Sequence, residues 1–295
     1  MRSLLLAACS LALLAGPSGA RAEGPIPAAP AAESFRVGDL QVTALRDGGW
    51  VAPNDGTVFG SDPAAAAKLL AADGLPTGVV VMNVGALLVR LPGHLVLLDA
   101  GLGPKDHGVL PASLAMAGVE PGDITDVMIT HKHLDHAGGL IDAAGRPAFP
   151  KATVWMSTRE WASMQRDDET KAVAAAIAAQ VKTFEPGHAV LPGLTPIALY
   201  GHTPGHAGYE IASRGAKLED IGDLAHSVVL NLARPDWPDK YDVDPPAGTA
   251  TRLAELKRLA ASGELVFAPH FPFPGVGRIV AAGDHFAWAP ATPLK

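Results

Sequence analysis

The chain has 295 residues, 48% of them hydrophobic, a formal charge of −7 and a single cysteine. That apolar content can fill one large core or two small ones. An acidic chain without a Lys/Arg cluster argues against nucleic acid or an anionic membrane surface as partner, and one cysteine excludes a disulfide framework.

The chain opens on a targeting segment. Arg2 gives a positive start, Leu4 to Ala15 a short apolar run, and Ala20-Arg21-Ala22 a small-x-small cleavage site. Residues 1–22 read as a signal peptide, too short to span a membrane, so the expected location is periplasmic or secreted, with a mature chain starting at Glu23. Losing Arg2 and Arg21 takes the charge from −7 to −9, and Cys9 leaves with the signal. The mature chain then offers metals His, Asp and Glu but no thiolate. Residues 23–34, rich in Pro and Ala, read as a flexible leader, and 35–295 as one domain.

Phe35 to Leu45 alternates around Gly38-Asp39 as a first hairpin, and Trp50 to Gly60 has loop composition. Ser61 is placed to cap a helix over 63–72. Strands are expected over 79–91 and 95–98, the second ending at Asp99, a carboxylate suited equally to a turn or to orienting a ligand histidine. The apolar run Asp126 to Thr130 reads as a buried strand feeding His131-Lys132-His133-Leu134-Asp135-His136. Further on come a strand over 152–156, helices over 158–164 and 167–184, strands over 195–200, 207–211 and 217–221, a helix over 246–261, and strands over 265–268, 277–281 and 285–288.

Three histidines and an aspartate in six residues carry the chemistry. Imidazole nitrogen and carboxylate oxygen are the donors zinc and similar ions prefer. In an extended turn His131 and His133 point the same way and can share one metal, with Lys132 directed away, while Asp135 and His136 come round to serve a second. More ligands are then required, and His202, Asp223 and His270 each follow a predicted strand.

Asp99, the His131-x-His133-x-Asp135-His136 run, His202, Asp223 and His270 match in order the signature motifs of the metallo-β-lactamase superfamily, which the chain resembles over roughly residues 35 to 290. Its flanks, Gly38 to Leu45, Gly201 to His206 and His270 to Gly277, look closest to the methyl parathion hydrolase-like branch of exported metallo-hydrolases. The resemblance implies an α/β chain folded as an αββα sandwich, with two divalent ions, zinc expected, at one edge. His131, His133 and His202 would hold one ion, Asp135, His136 and His270 the other, and Asp223 would bridge them. Two such ions make a hydroxide from a bridging water near neutral pH. Asp223 and Asp135 are the expected catalytic carboxylates, Asp135 also passing a proton to the leaving group.

The substrate expected is a small molecule with a C–O or P–O ester bond: a lactone, carboxylic ester or phosphotriester. A β-lactamase is the alternative, and Asp223 speaks against it, since β-lactamases of this superfamily generally carry Cys or Ser there. A mononuclear iron dioxygenase or non-catalytic metal binder is a third reading. Lactonases of the superfamily have a tyrosine three residues after the bridging aspartate. Here that residue is His226, either a replacement donor or a surface histidine. Phe271 and Phe273 are candidate pocket walls, as are Trp50, Phe59 and Trp237. His206 is expected to support the ligands from behind, and a homodimer stays open.

Overall fold

The computed structural model describes residues 23–291; the expected signal peptide, 1–22, lies outside them. The first sheet is built from β1 (Gly24–Ile26), β2 (Ala31–Val37), β3 (Leu40–Pro53), β4 (Val79–Leu91), β5 (His94–Leu98), β6 (Asp126–Met128), β7 (Thr153–Ser157) and β8 (Val181–Phe184). It runs β1-β3-β4-β5-β6-β7-β8, with β2 also on β3; β5 to β8 are parallel. The second comprises β9 (Leu194–Ala198), β10 (Ala207–Ser213), β11 (Ala216–Asp220), β12 (Leu265–Phe267), β13 (Val276–Ala282) and β14 (His285–Pro290), in the order β14-β13-β12-β11-β10-β9.

Helices α1 (Pro63–Ala72), α2 (Leu110–Met116), α3 (Leu134–Ala137), α4 (Thr158–Met164), α5 (Lys171–Ile177), α6 (Leu230–Ala233) and α7 (Pro245–Ser262) complete the chain. Three apolar clusters make four layers of it. Leu114, Val173 and Ile177 pack helices on Leu88, Leu97 and Val127 of the first sheet. Val42, Leu87, Val89 and Leu98 meet Tyr209, Ile211, Leu218 and Phe267 between the sheets. Leu256 and Leu259 of α7 cover Val266 and Ile279 of the second sheet. This is the αββα sandwich, each sheet burying both faces.

Four expectations are corrected. Residues 23–34 are not a loose leader: Gly24 to Ile26 and Ala31 to Val37 are antiparallel to β3. The long β3 leaves backbone groups to be paired on that side, and an edge strand tolerates Pro25. Trp50 to Pro53, assigned to a loop, continue β3 opposite Val79 to Met82. The helix over 167–184 is only Lys171 to Ile177; Val181 to Phe184 pair with β7. There sheet pairing outweighs the helix propensity of the alanines for a Val-Lys-Thr-Phe segment. The cap of α1 is Asp62, which accepts from Ala64 and Ala65, not Ser61.

Candidate metal centre

All the predicted ligands lie on loops or short helical turns that follow strands of the two sheets. β6 ends at Met128, and Thr130 is caught by Asp99: its N–H donates to Oδ1 at 2.8 Å and its hydroxyl to Oδ2 at 2.9 Å. Asp99 sits at φ 60°, a conformation costing on the order of 1 kcal/mol or more outside glycine, but easiest for Asp and Asn. That geometry turns its carboxylate back on the loop, where Oδ2 also receives His136 Nδ1 at 2.7 Å. Of its two sequence readings, the orienting one is the one seen.

Glu160 holds the same loop from the other side. It is buried and accepts the Lys132 N–H at 2.9 Å, the Thr203 hydroxyl at 2.8 Å and the Gly205 N–H at 2.8 Å, joining the two histidine loops. The Lys132 side chain points away, to Asp167. The next residue, His133, opens α3, whose single turn presents Asp135 and His136.

The result is two clusters. His131 Nε2, His133 Nδ1 and His202 Nε2 lie 2.9–3.2 Å apart, with Asp223 Oδ2 3.4 Å from His131 and 3.3 Å from His202. His136 and His270 Nε2 are 3.3 Å apart, each 3.0 Å from Asp223 Oδ1 and 3.5 Å from Asp135 Oδ2. The seven predicted ligands thus form two groups of four, sharing Asp223.

These spacings fit a cation. A tetrahedron with bonds of about 2.0–2.2 Å has edges of roughly 3.3–3.6 Å. Asp223 Oδ1 is buried with no hydrogen-bond donor in proper geometry, despite two imidazole nitrogens at 3.0 Å. Lone pairs converging on a point need a positive charge there. Burial, with the neighbouring histidines, holds His131 well below its usual pKa and His133 at about 3, so both are neutral, as ligands must be. Burial opposes charge on His136 too, yet Asp223, Asp135 and Asp99 outweigh it and raise that ring.

The supports behind the ligands are as ordered as the ligands. His202 Nδ1 lies 3.3 Å from Asp242 Oδ1, and His270 Nδ1 donates to the Asn83 carbonyl at 2.8 Å. His206 is also behind the site: its Nδ1 donates to the Leu199 carbonyl and its Nε2 accepts the Asp223 N–H at 3.1 Å. Gly222, at φ 46°, must be glycine, because a Cβ would stand 2.5 Å from His206 Nε2. Losing such an orienting partner typically costs 10–100-fold in metal affinity. Asp99→Asn is therefore expected to weaken metal binding about 10–100-fold, read by competition with a chromogenic chelator; unchanged affinity would deny Asp99 that role.

His226 is no surface histidine. It is 3% exposed, with Nδ1 2.8 Å from Asp239 Oδ2, Nε2 3.1 Å from Asp223 Oδ2, and its ring stacked on His270 at 5.3 Å. It lines a cavity of about 430 Å³ with His133, Asp135, Asp223 and His270, alongside Trp50, Met82, Leu102, Leu134 and Tyr241. Phe271 and Phe273 do not: Phe271 is fully buried against Trp288, and Phe273 packs in the inter-sheet core beneath Arg46. Their expected substrate role is corrected by direction. The chain turns after His270, sending the imidazole to the cavity and both phenyl rings into the protein. Phe59 is likewise core, while Trp50 does face the cavity.

A second, larger cavity of about 820 Å³, bounded by Leu110, Leu114, Ile141 and Phe149, holds none of the ligands. Its buried carboxylate, Asp47, accepts the N–H groups of Leu102 and Leu110, each at 2.6 Å. The sequence reading missed Glu160, Asp239, Asp242 and Tyr241. Glu160, three residues after the Ser157 cap, has the pattern of an ordinary first-turn helix carboxylate, and nothing local marks the others.

Comparison with known proteins agrees with this geometry. Residues 80–292 match the model of the metallo-beta-lactamase superfamily. An N-acyl homoserine lactonase from Bacillus sp is 30% identical over 148 residues, half of this chain and 54% of that protein, so the chain spans about half the length of such relatives. Among solved structures, AidC, a dizinc quorum-quenching lactonase in complex with a product, superposes with TM-score 0.86 at 26% identity over 90% of this chain and 99% of AidC. The hydrolase AbOPH of the beta lactamase superfamily gives 0.81 at 29% identity, over 89% and 98% of the two chains. With the family model spanning most of its length and both candidate metal-ligand clusters in place, the chain belongs to the metallo-β-lactamase superfamily.

Proposed function

We propose that this protein is a metal-dependent hydrolase that opens C–O ester bonds in neutral lactones and carboxylic esters, with P–O phosphotriesters as a second class, using two divalent ions, zinc by preference. The observation that carries the reading is Asp223, one buried carboxylate with an oxygen turned to each ligand cluster. When bound there, two divalent ions supply Lewis acidity and activate water near neutral pH. His131, His133 and His202 would hold one, Asp135, His136 and His270 the other, with Asp223 shared.

The chain's own residues do the rest. Asp99 and Asp242 fix the rings of His136 and His202. Asp135, the more accessible ligand carboxylate, can carry a proton to the leaving oxygen. His226 faces the cavity and is the candidate donor to a substrate oxygen, oriented by Asp239. Among the cavity-lining residues there is no Lys or Arg to hold a substrate carboxylate, as a β-lactam would need, and Trp50, Met82, Leu102 and Leu134 suit an apolar substituent. The similarity to a lactonase and to the hydrolase AbOPH supports the ester reading, AidC being a dizinc lactonase supports the metal, and the flanking motifs support the methyl parathion hydrolase-like branch.

The test is kcat/KM for an aryl ester, a lactone, a phosphotriester and a cephalosporin on one zinc-loaded preparation. The lactone or aryl ester is expected to lead; a cephalosporin value above both would overturn the assignment. A lost hydrogen bond to the reacting oxygen costs about 1–3 kcal/mol, so His226→Ala is expected to slow ester turnover about ten- to a hundredfold. Wild-type kinetics in that variant would remove His226 from the reaction. Export rests on residues 1–22; N-terminal sequencing of protein recovered outside the cytoplasm should begin at Glu23, and a retained leader would refute cleavage there.

A further inference from the structure

The amino-terminal strand reaches the wall of the metal cavity. β1 lies on β3 with Gly24 opposite Val51 and Ile26 opposite Gly49. The seat is specific: a Cβ at Gly49 would stand 2.9 Å from Ile26 Cγ1. This strap carries Glu23, immediately upstream, to the cavity.

Glu23 gathers donors there. The Tyr241 hydroxyl donates to Oε1 at 2.7 Å, and the Lys240 ammonium pairs with Oε2. Burial alone would raise this carboxyl, but these donors hold it below its ordinary range. Trp50, on β3, lines the same cavity; its indole Nε1 is buried with no acceptor in hydrogen-bond geometry. Tyr241 in turn packs on His226, ring centroids 5.0 Å apart, and meets Phe59 edge-on at 6.2 Å. A chain of contacts therefore runs from the strap through Tyr241 to the ring beside the bridging carboxylate.

We propose that Glu23 is a positioning residue of the substrate pocket: the strap locks Tyr241 against His226, and the Trp50–Tyr241 corner so formed receives the apolar substituent of a neutral ester or lactone. The proposal rests on reading the cavity as the substrate pocket. Without Glu23 the phenol loses its acceptor and its ring regains rotamer freedom, which a large substituent must then remove on binding. A small acyl group never reaches that corner.

The test uses the zinc-loaded full chain carrying Glu23→Ala, Glu23→Gln or Tyr241→Phe, with an aryl acetate and an aryl phenylacetate as substrates. Glu23→Ala is expected to raise KM for the phenylacetate about tenfold, several times more than for the acetate, and to change KM more than kcat. Tyr241→Phe should do the same, and Glu23→Gln, whose amide oxygen still accepts from Tyr241, should recover most of the loss. Binding of phenylphosphonate and methylphosphonate, measured by calorimetry, gives a readout independent of hydrolysis. Wild type should prefer the phenyl probe, and Glu23→Ala should lose about tenfold of that preference at equal zinc content. Equal losses for both probes, or no loss, would overturn the proposal. If no ester is turned over yet the phenyl preference falls with Glu23→Ala, the functional reading fails and the positioning role stands.

Discussion

Asp223→Ala is expected to lower kcat/KM for an aryl ester by about two to four orders of magnitude, with the secondary structure intact. Asp223 is 2% exposed, and five imidazole nitrogens, from His131, His136, His202, His226 and His270, lie 3.0–3.4 Å from its oxygens. Burial would raise its pKa, but His136 and His270, with the other rings, drive it well below the usual carboxylate range. It is the one negative charge common to both clusters. Truncating one partner of a buried hydrogen-bonded charge pair weakens binding by about 2–5 kcal/mol, and each 1.4 kcal/mol is a factor of ten. Two cations held there would, without the shared carboxylate, repel each other with less to screen them. The apolar clusters are built without this side chain, so the variant still folds, with Tm lowered only by the metal binding it loses. Steady-state kinetics at low zinc, with circular dichroism on the same sample, check the split. Wild-type turnover at low zinc would show that Asp223 is not the bridge.

How legible this was in the sequence depended on whether a residue's role is local. The run from His131 to His136 and the strand-end residues His202, Asp223 and His270 carry their donor chemistry and backbone context with them, and the structure gathers them into two groups that could hold a metal. Strands with strong apolar runs, such as β4 over Val79–Leu91, are where the pattern put them. Failures came where partners decided. Residues 24–26 have no strand signal of their own and become a strand because β3 needs a neighbour. Val181 to Phe184, at the end of an alanine-rich stretch, belong to β8 because β7 is there to pair with them. Phe271 sits next to the candidate ligand His270, but adjacency in sequence says nothing of direction, and its ring faces Trp288. Glu160 and Asp239 act on loops 28 to 45 and 13 residues away in sequence, so only folding reveals their partners.

Removing the metals is expected to cost stability as well as activity. Two ions bound at a thousandfold excess over Kd would each add about 4 kcal/mol, and about 2–4 °C accompanies each kcal/mol in a chain of this order of size. Chelation should therefore lower Tm by ten degrees or more and abolish hydrolysis, and zinc titrated back should restore both with a break at two equivalents. The ligand set explains the size of the effect. His131, His136, His202, Asp223 and His270 are all buried, so the apo chain must keep crowded nitrogens and carboxylate oxygens together with no cation to satisfy them. His131→Ala separates the two sites. It deletes the ring with a nitrogen 3.1 Å from His133 and 3.2 Å from His202, while Asp135, His136, Asp223 and His270 stay intact. That variant should bind one equivalent at most in place of two and lose most ester hydrolysis, since the remaining cluster lacks the neighbouring ion that shares Asp223. Elemental analysis of well-metallated protein decides it: one equivalent or less in the wild type would sink the dinuclear assignment, and two equivalents in His131→Ala would remove that histidine from the ligand set.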